Sequence, residues 1–134
     1  TKEDRETDIA DYVHYLNALS AHLNLRDRSP VLLGFSQGVA TASRWVESGK
    51  QSFERLILWA GVFPPDFEWT TGRAHLSHLP VDLALGDDDP FFKDEVLTDT
   101  ATILNDKRVA YNLHRFQGGH VIDPDLLLQI VNAP

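Results

Sequence analysis

Apolar positions along the chain follow two alternating patterns. Over residues 4–25 they recur as Ile9, Val13, Leu16, Leu19 and Leu23, a spacing of three and four that predicts a helix with one apolar stripe. Short unbroken apolar runs stand at 31–35, at 55–60 (with Leu56, Ile57, Leu58 and Trp59) and at 81–85. Such runs suit strands that are covered on both faces. Between them, 37–47 reads as a helix closed by Gly49, and 94–105 as a helix with Val96, Leu97, Thr100, Ile103 and Leu104 on one side. The segment 109–116 alternates, with Val109, Tyr111 and Leu113 set against Asn112 and His114, as an edge strand with one wet face would. Pro124 after Asp123 has the form of a capped helix start, and 126–131 continues it as a closing helix. A helix between successive strands implies parallel pairing. The expected fold is therefore α/β: one domain over 1–134, with a parallel sheet of about four strands flanked by helices.

Composition narrows this picture. Hydrophobic residues make up 43% of the 134, enough to fill the core of one domain. Twelve basic against twenty acidic residues give a net charge of −8, which disfavours nucleic acid as a partner and favours solubility. No apolar run approaches the roughly 18 residues a membrane span needs, and no signal-peptide pattern is present, so a cytoplasmic protein is expected. The absence of cysteine excludes disulfides and Cys-ligated zinc.

The chemistry begins at Gly34-Phe35-Ser36-Gln37-Gly38, which follows an apolar strand and precedes the small residues Val39-Ala40-Thr41-Ala42-Ser43. Strand, sharp turn and helix with a serine at the tip is the form of a nucleophile elbow. The flanking glycines are expected because a side chain at either one would clash as the backbone reverses. The turn leaves the Gln37 N–H at a helix start, where it can stabilise an oxyanion. A serine hydroxyl is a poor nucleophile at neutral pH and needs a base, and the base needs a carboxylate to fix its tautomer. Both types follow in order, each just after a strand: the turn Gly86-Asp87-Asp88-Asp89-Pro90, then Gln117-Gly118-Gly119-His120. The order Ser, Asp, His is that of α/β-type serine hydrolases, and all three would sit at the carboxyl edge of a parallel sheet.

These motifs resemble the phospholipase/carboxylesterase family of α/β-hydrolases, the group that includes the acyl-protein thioesterases. The elbow is similar to that family's GFSQG, which implies Ser36 as nucleophile. Trp59-Ala60-Gly61-Val62-Phe63-Pro64 is similar to its SGYLP-like segment. Gly86-Asp87-Asp88-Asp89-Pro90 resembles its G-x-x-D-P turn, which implies Asp89, rather than either neighbour, as the acid. Gly119-His120 before Val121-Ile122 resembles its final GH motif, which implies His120 as base. The chain departs from the family at Leu85, where a histidine is usual, and at Phe91-Phe92-Lys93 after the D-P pair. Both departures alter the wall of the site. The family's opening strands, and the HG-type loop that gives a second oxyanion donor, have no counterpart before Ser36. The expectation is that these residues form the C-terminal portion of such a fold, with 31–35 pairing to an N-terminal segment of the same protein or to another copy.

Around the triad, Phe63, Trp69, Phe91 and Phe92 are candidates for an apolar acyl or alcohol pocket, although any one of them can also simply pack its loop. The segment 62–80 is read as a loop forming at most a small flap. His75 and His78 lack a third ligand and read as surface residues, so neither metal nor cofactor is expected. Asp87 and Asp88 read as solvated or turn-holding. His14, His22 and His114 show no partner in sequence, and the charge run at 2–8 reads as a solvated helix start. Two function classes follow. One is a serine hydrolase acting through an acyl-enzyme on a small ester or thioester with an apolar acyl part. The other is a hydrolase-like binding module that has lost catalysis.

Overall fold

Four parallel strands form the sheet, in the spatial order β1 (Val31–Phe35), β2 (Arg55–Trp59), β3 (Val81–Gly86) and β4 (Asn112–Phe116). The computed structural model describes residues 1–134, and five helices complete it: α1 (Lys2–His22), α2 (Gly38–Ser48), α3 (Trp69–Leu76), α4 (Asp94–Asp106) and α5 (Pro124–Val131). The central strands β2 and β3 are buried along their whole length, as their unbroken apolar runs require.

Because strand side chains alternate, each of these strands feeds two cores. Leu56, Leu58, Val81 and Leu83 pack with Val39, Ala42 and Val46 of α2, Leu76 of α3 and Leu104 of α4. Ile57, Trp59 and Ala84 pack on the other face with Ile130 of α5. Each fully buried leucine or isoleucine stabilises the fold by about 1.5–3 kcal/mol. The two cores hold the four strand ends in register, with Phe35 opposite Trp59, Trp59 opposite Ala84, and Gly86 opposite Phe116. Local signals also act as expected. Gly49 closes α2 in a left-handed conformation, and the Asp123 side chain accepts from the Leu126 N–H to cap α5.

Three expectations change. The stripe on α1 is only partly covered: Ile9, Val13 and Leu16 are half-buried, while Leu19 and Leu23 are exposed. Polar contacts join α1 to the body instead, from Tyr12 to Arg44, Asn17 to Trp45 and the buried Ser20 to Gln51. The segment read as a loop at 62–80 contains α3, capped by the Glu68 side chain, which accepts from the Thr70 N–H. The last strand is shorter than 109–116; Val109 and Tyr111 turn to the core as expected, but Leu113 does not. Leu113 is 49% exposed, while the half-buried His114 and the exposed Asn112 both reach Asp82.

Asp82 gathers the polar side chains of this strand. It is almost completely buried in β3, and it accepts from Arg55 Nη1 at 2.6 Å while lying 2.7 Å from His114 Nε2 and 3.3 Å from Asn112 Nδ2. A buried carboxylate needs this many partners to offset its lost hydration. Arg55 also donates to the Ala133 carbonyl, tying the end of the chain to the sheet. His114, which had no visible partner in the sequence, finds one 32 residues away. No helix is long and apolar enough to cross a membrane.

Candidate active site

Ser36 follows the last residue of β1 and holds a left-handed backbone with φ of 57°. For a non-glycine residue this is strained by about 1–2 kcal/mol, so the surroundings must fix it. They do so through main-chain bonds: the Ser36 N–H donates to the Trp59 carbonyl at 2.8 Å, and the Val39 N–H donates to the Ser36 carbonyl at 3.1 Å. The elbow also needs β1 and α2 to touch. A Cβ on Gly34 would lie 2.6 Å from the Gly38 carbonyl oxygen and 2.9 Å from the Ala42 Cβ. At Gly38 it would meet nothing within 4 Å, so the expected steric need for both flanking glycines holds for Gly34 alone. The Gln37 N–H takes part in none of the hydrogen bonds and remains available at the start of α2.

The three consecutive aspartates after β3 have separate partners. Asp87 is exposed and paired with Arg115 at 2.8 Å, and Arg115 reaches Asp94 at the same distance. Asp88 accepts from Gln117 Nε2 at 3.3 Å on the surface. Asp89 turns inward and is 6% exposed. Its Oδ1 accepts from the N–H groups of Phe91 (2.8 Å) and Phe92 (3.1 Å), and its Oδ2 lies 2.8 Å from His120 Nδ1. Burial pushes the Asp89 carboxyl upward, but the hydrogen bonds from His120 and the two backbone N–H groups outweigh it and hold the group below the ordinary aspartate value.

His120 completes the line, with Nε2 3.1 Å from Ser36 Oγ. Its loop is laced to the β3 turn: the Asp87 N–H donates to the Phe116 carbonyl and the Asp88 N–H to the Gly118 carbonyl, both at 2.9 Å. Gly86 permits this approach, since a Cβ there would overlap the carbonyl oxygens of Gly118 and Gly119. An ionised Asp89 can only accept, so His120 Nδ1–H donates to its Oδ2, which leaves the Nε2 lone pair facing the serine hydroxyl.

The aromatic residues expected to form one wall divide into two groups. Phe91 and Phe92 lie beside the histidine, with ring centroids 4.9 and 5.8 Å from the imidazole, and Phe91 is 71% exposed. Phe63 and Trp69 instead pack with Phe67, at centroid distances of 4.6–5.3 Å, and belong to the α2-side core. That assignment to the pocket is corrected: eight-residue α3 folds the apolar part of 62–80 down onto the body. One neighbour of the site was missed. Phe35 stacks at 4.8 Å from the His120 ring. Its position next to Ser36 was the available signal, obscured because an aromatic residue ending a strand reads as core. His75 and His78 are exposed, and no group of three or more His, Asp or Glu side chains gathers that could hold a metal.

No family model matches the chain, and no curated protein sequence matches it. Solved structures do. The chain is similar to esterase PE8 (26% identity, TM-score 0.70), covering 93% of this chain and 58% of that one. A carboxylesterase of Bacillus cereus superposes with 14% identity and TM-score 0.70, over 97% and 60% of the two chains. MGS-M1, an α/β-hydrolase enzyme from a Medee basin deep-sea metagenome library, superposes with 16% identity and TM-score 0.60, over 89% and 57%. The chain therefore spans about three-fifths of the length of these structures, and its parallel sheet with flanking helices is part of an α/β-hydrolase fold.

Proposed function

We propose that this chain carries the catalytic residues of a serine hydrolase that cleaves carboxylic esters or thioesters, of the phospholipase/carboxylesterase type. The observation that carries this reading is the line Ser36 Oγ, His120 Nε2, His120 Nδ1 and Asp89 Oδ2, with both contacts at hydrogen-bond distance. The strained elbow that presents the serine, and the esterases among the similar structures, support it from independent directions.

In this mechanism Ser36 Oγ attacks the acyl carbon while His120 Nε2 takes its proton, and Asp89 stabilises the imidazolium without itself becoming protonated. The tetrahedral oxyanion is received by the Gln37 N–H. A donor of this kind is worth about 2.7–4 kcal/mol of barrier. His120 then gives the proton to the departing alcohol or thiol. Water attacks the acyl-enzyme with His120 again as base, restoring Ser36 and releasing the acid. Phe91 and Phe92 give the site an apolar side, which suits an apolar acyl or alcohol group.

The test is intact-mass analysis after treatment with a fluorophosphonate, run beside Ser36→Ala. One adduct mapping to Ser36, and none in the variant, is expected. A folded protein that takes no adduct would sink the hydrolase reading and favour a hydrolase-like binding module.

A further inference from the structure

Trp59 touches both halves of the candidate site, although it contributes no reacting atom. It is the largest fully buried side chain, at the end of the central strand β2. Its carbonyl accepts the Ser36 N–H at 2.8 Å, which fixes the elbow. Its indole Nε1–H reaches in the other direction and donates to the Val121 carbonyl at 2.9 Å, on the residue that follows His120. The ring also packs against Phe116, the last residue of β4, at a centroid distance of 5.5 Å. One residue thus ties the serine turn to the base loop, across 62 residues of sequence.

The loop needs such a tie. On its far side the loop is braced by a bond from the Val121 N–H to the Gly119 carbonyl and by Ile122, which packs against the core around Ile57 and Trp59, while Val121 itself is exposed. The bonds from Asp87 and Asp88 hold the near side, before His120. On the far side, the indole donor is the hydrogen bond that comes from the sheet.

We propose that Trp59 is a positioning residue: its indole N–H sets the height of the His120 loop, so that the imidazole meets Ser36 and Asp89 together. This deepens the hydrolase reading and rests on it for its catalytic consequence. The main-chain link to Ser36 survives any substitution of the side chain, so replacing the indole isolates the link to the base loop. A displacement of about 1 Å at a reacting pair can lower a rate on the order of a hundredfold, so a partial slip is expected to show clearly.

The experiment compares Trp59→Phe, which keeps an apolar ring but removes the donor, with Ile57→Ala. Ile57 is on the same strand and in the same core, and its loss opens a cavity while leaving the indole N–H and its bond to the Val121 carbonyl in place. Trp59→Leu serves as a second donor-free variant should the phenyl variant not fold. Two readouts are taken: kcat and KM on a short-chain ester, and the low-field proton resonance of the His120 Nδ1–H bound to Asp89. In Trp59→Phe, kcat is expected to fall on the order of tenfold with KM within about twofold, and the resonance to broaden or vanish through faster exchange with solvent. Ile57→Ala is expected to lower Tm at least as much while keeping both signals. An undisturbed resonance in the donor-free variants, or an equal loss in Ile57→Ala, overturns the proposal. If the parent chain cleaves no ester, the hydrolase reading falls, while the resonance still decides whether the indole holds the histidine.

Discussion

Gly34 and Gly38 flank the same serine, yet the space around them differs, and their alanine variants should separate. At Gly34 the new methyl meets the Gly38 carbonyl and the Ala42 side chain, both held by the β1–α2 packing. Gly34→Ala is expected to lower stability by about 1–3 kcal/mol through overpacking and to abolish labelling of Ser36. Gly38→Ala enters open space at the first residue of α2 and is expected to be neutral or to stabilise by about 0.5–1 kcal/mol, read as a rise in Tm. Asp89 carries a pH signature of defined sign. Its folded-state pKa lies below the ordinary value, so the stability it contributes is complete above that ordinary value and is lost as pH falls through the lowered one. Urea unfolding along an acid series should therefore show Asp89→Asn less stable than the parent near neutral pH, with the gap closing in acid. A gap that stays constant would contradict the assignment. At neutral pH the same variant is expected to lose about 10⁴-fold in kcat, since the amide imposes the wrong tautomer on His120. At this scale the sequence was informative, because Ser36, Asp89 and His120, which lie within hydrogen-bond distance in turn, each stand in a short local motif. It could not separate Gly34 from Gly38, or site aromatics from core aromatics, since those distinctions depend on which element packs behind each residue.

Between elements, the most consequential contact is the ion pair of Arg55 in β2 with Asp82 in β3, shared with His114 of β4. Removing one partner of a buried pair strands the other charge, so Asp82→Ala is expected to cost about 3–5 kcal/mol in urea unfolding. Replacing both together, Asp82→Leu with Arg55→Met, removes the stranded charge and should recover most of that loss. Failure to recover would mean that the network's geometry, and not its charge balance, is what holds these strands. Nothing in the sequence marked this network. Asp82 stands within an apolar run and Arg55 at the head of another, 27 residues apart, and only the parallel register brings them side by side. The same register brings Asn112 and His114 to Asp82, while Leu113 stands on the opposite face of this edge strand and is exposed. The helix α3 escaped notice for a different reason. Its eight residues include Gly72 and bury only Gly72 and Leu76, too few positions for a helical period to register. Its cap, Glu68, is not one of the residue types that mark a helix start, so it gave no signal either. The period on α1 was plain, but how far a stripe is covered depends on what lies beside it, and that is a tertiary property.

For the whole molecule, strand–helix alternation was enough to imply the parallel α/β layering, because each crossover between parallel strands requires a helix. The same topology leaves two sheet edges that differ in character. On β4 the edge carries Asn112, His114 and Arg115, and Arg115 is engaged with Asp87 and Asp94, the charged arrangement that discourages strand addition. The β1 edge reads Val31-Leu32-Leu33-Gly34-Phe35, with Val31 39% exposed, and its outer side has no strand beside it within this chain. An apolar, unpaired edge is a template for another strand, and it predicts concentration-dependent association of the 134-residue chain. Its net charge of −8 works against close approach, so the two effects can be separated by salt. Raising ionic strength to about 1 M shortens the screening length to about 3 Å and should strengthen association if the edge drives it. Val31→Lys places a charge on that edge and should weaken association at every salt concentration. Sedimentation velocity over a concentration series reads both. A sedimentation coefficient indifferent to concentration, salt and the lysine would show that the β1 edge is protected in solution despite its apolar sequence.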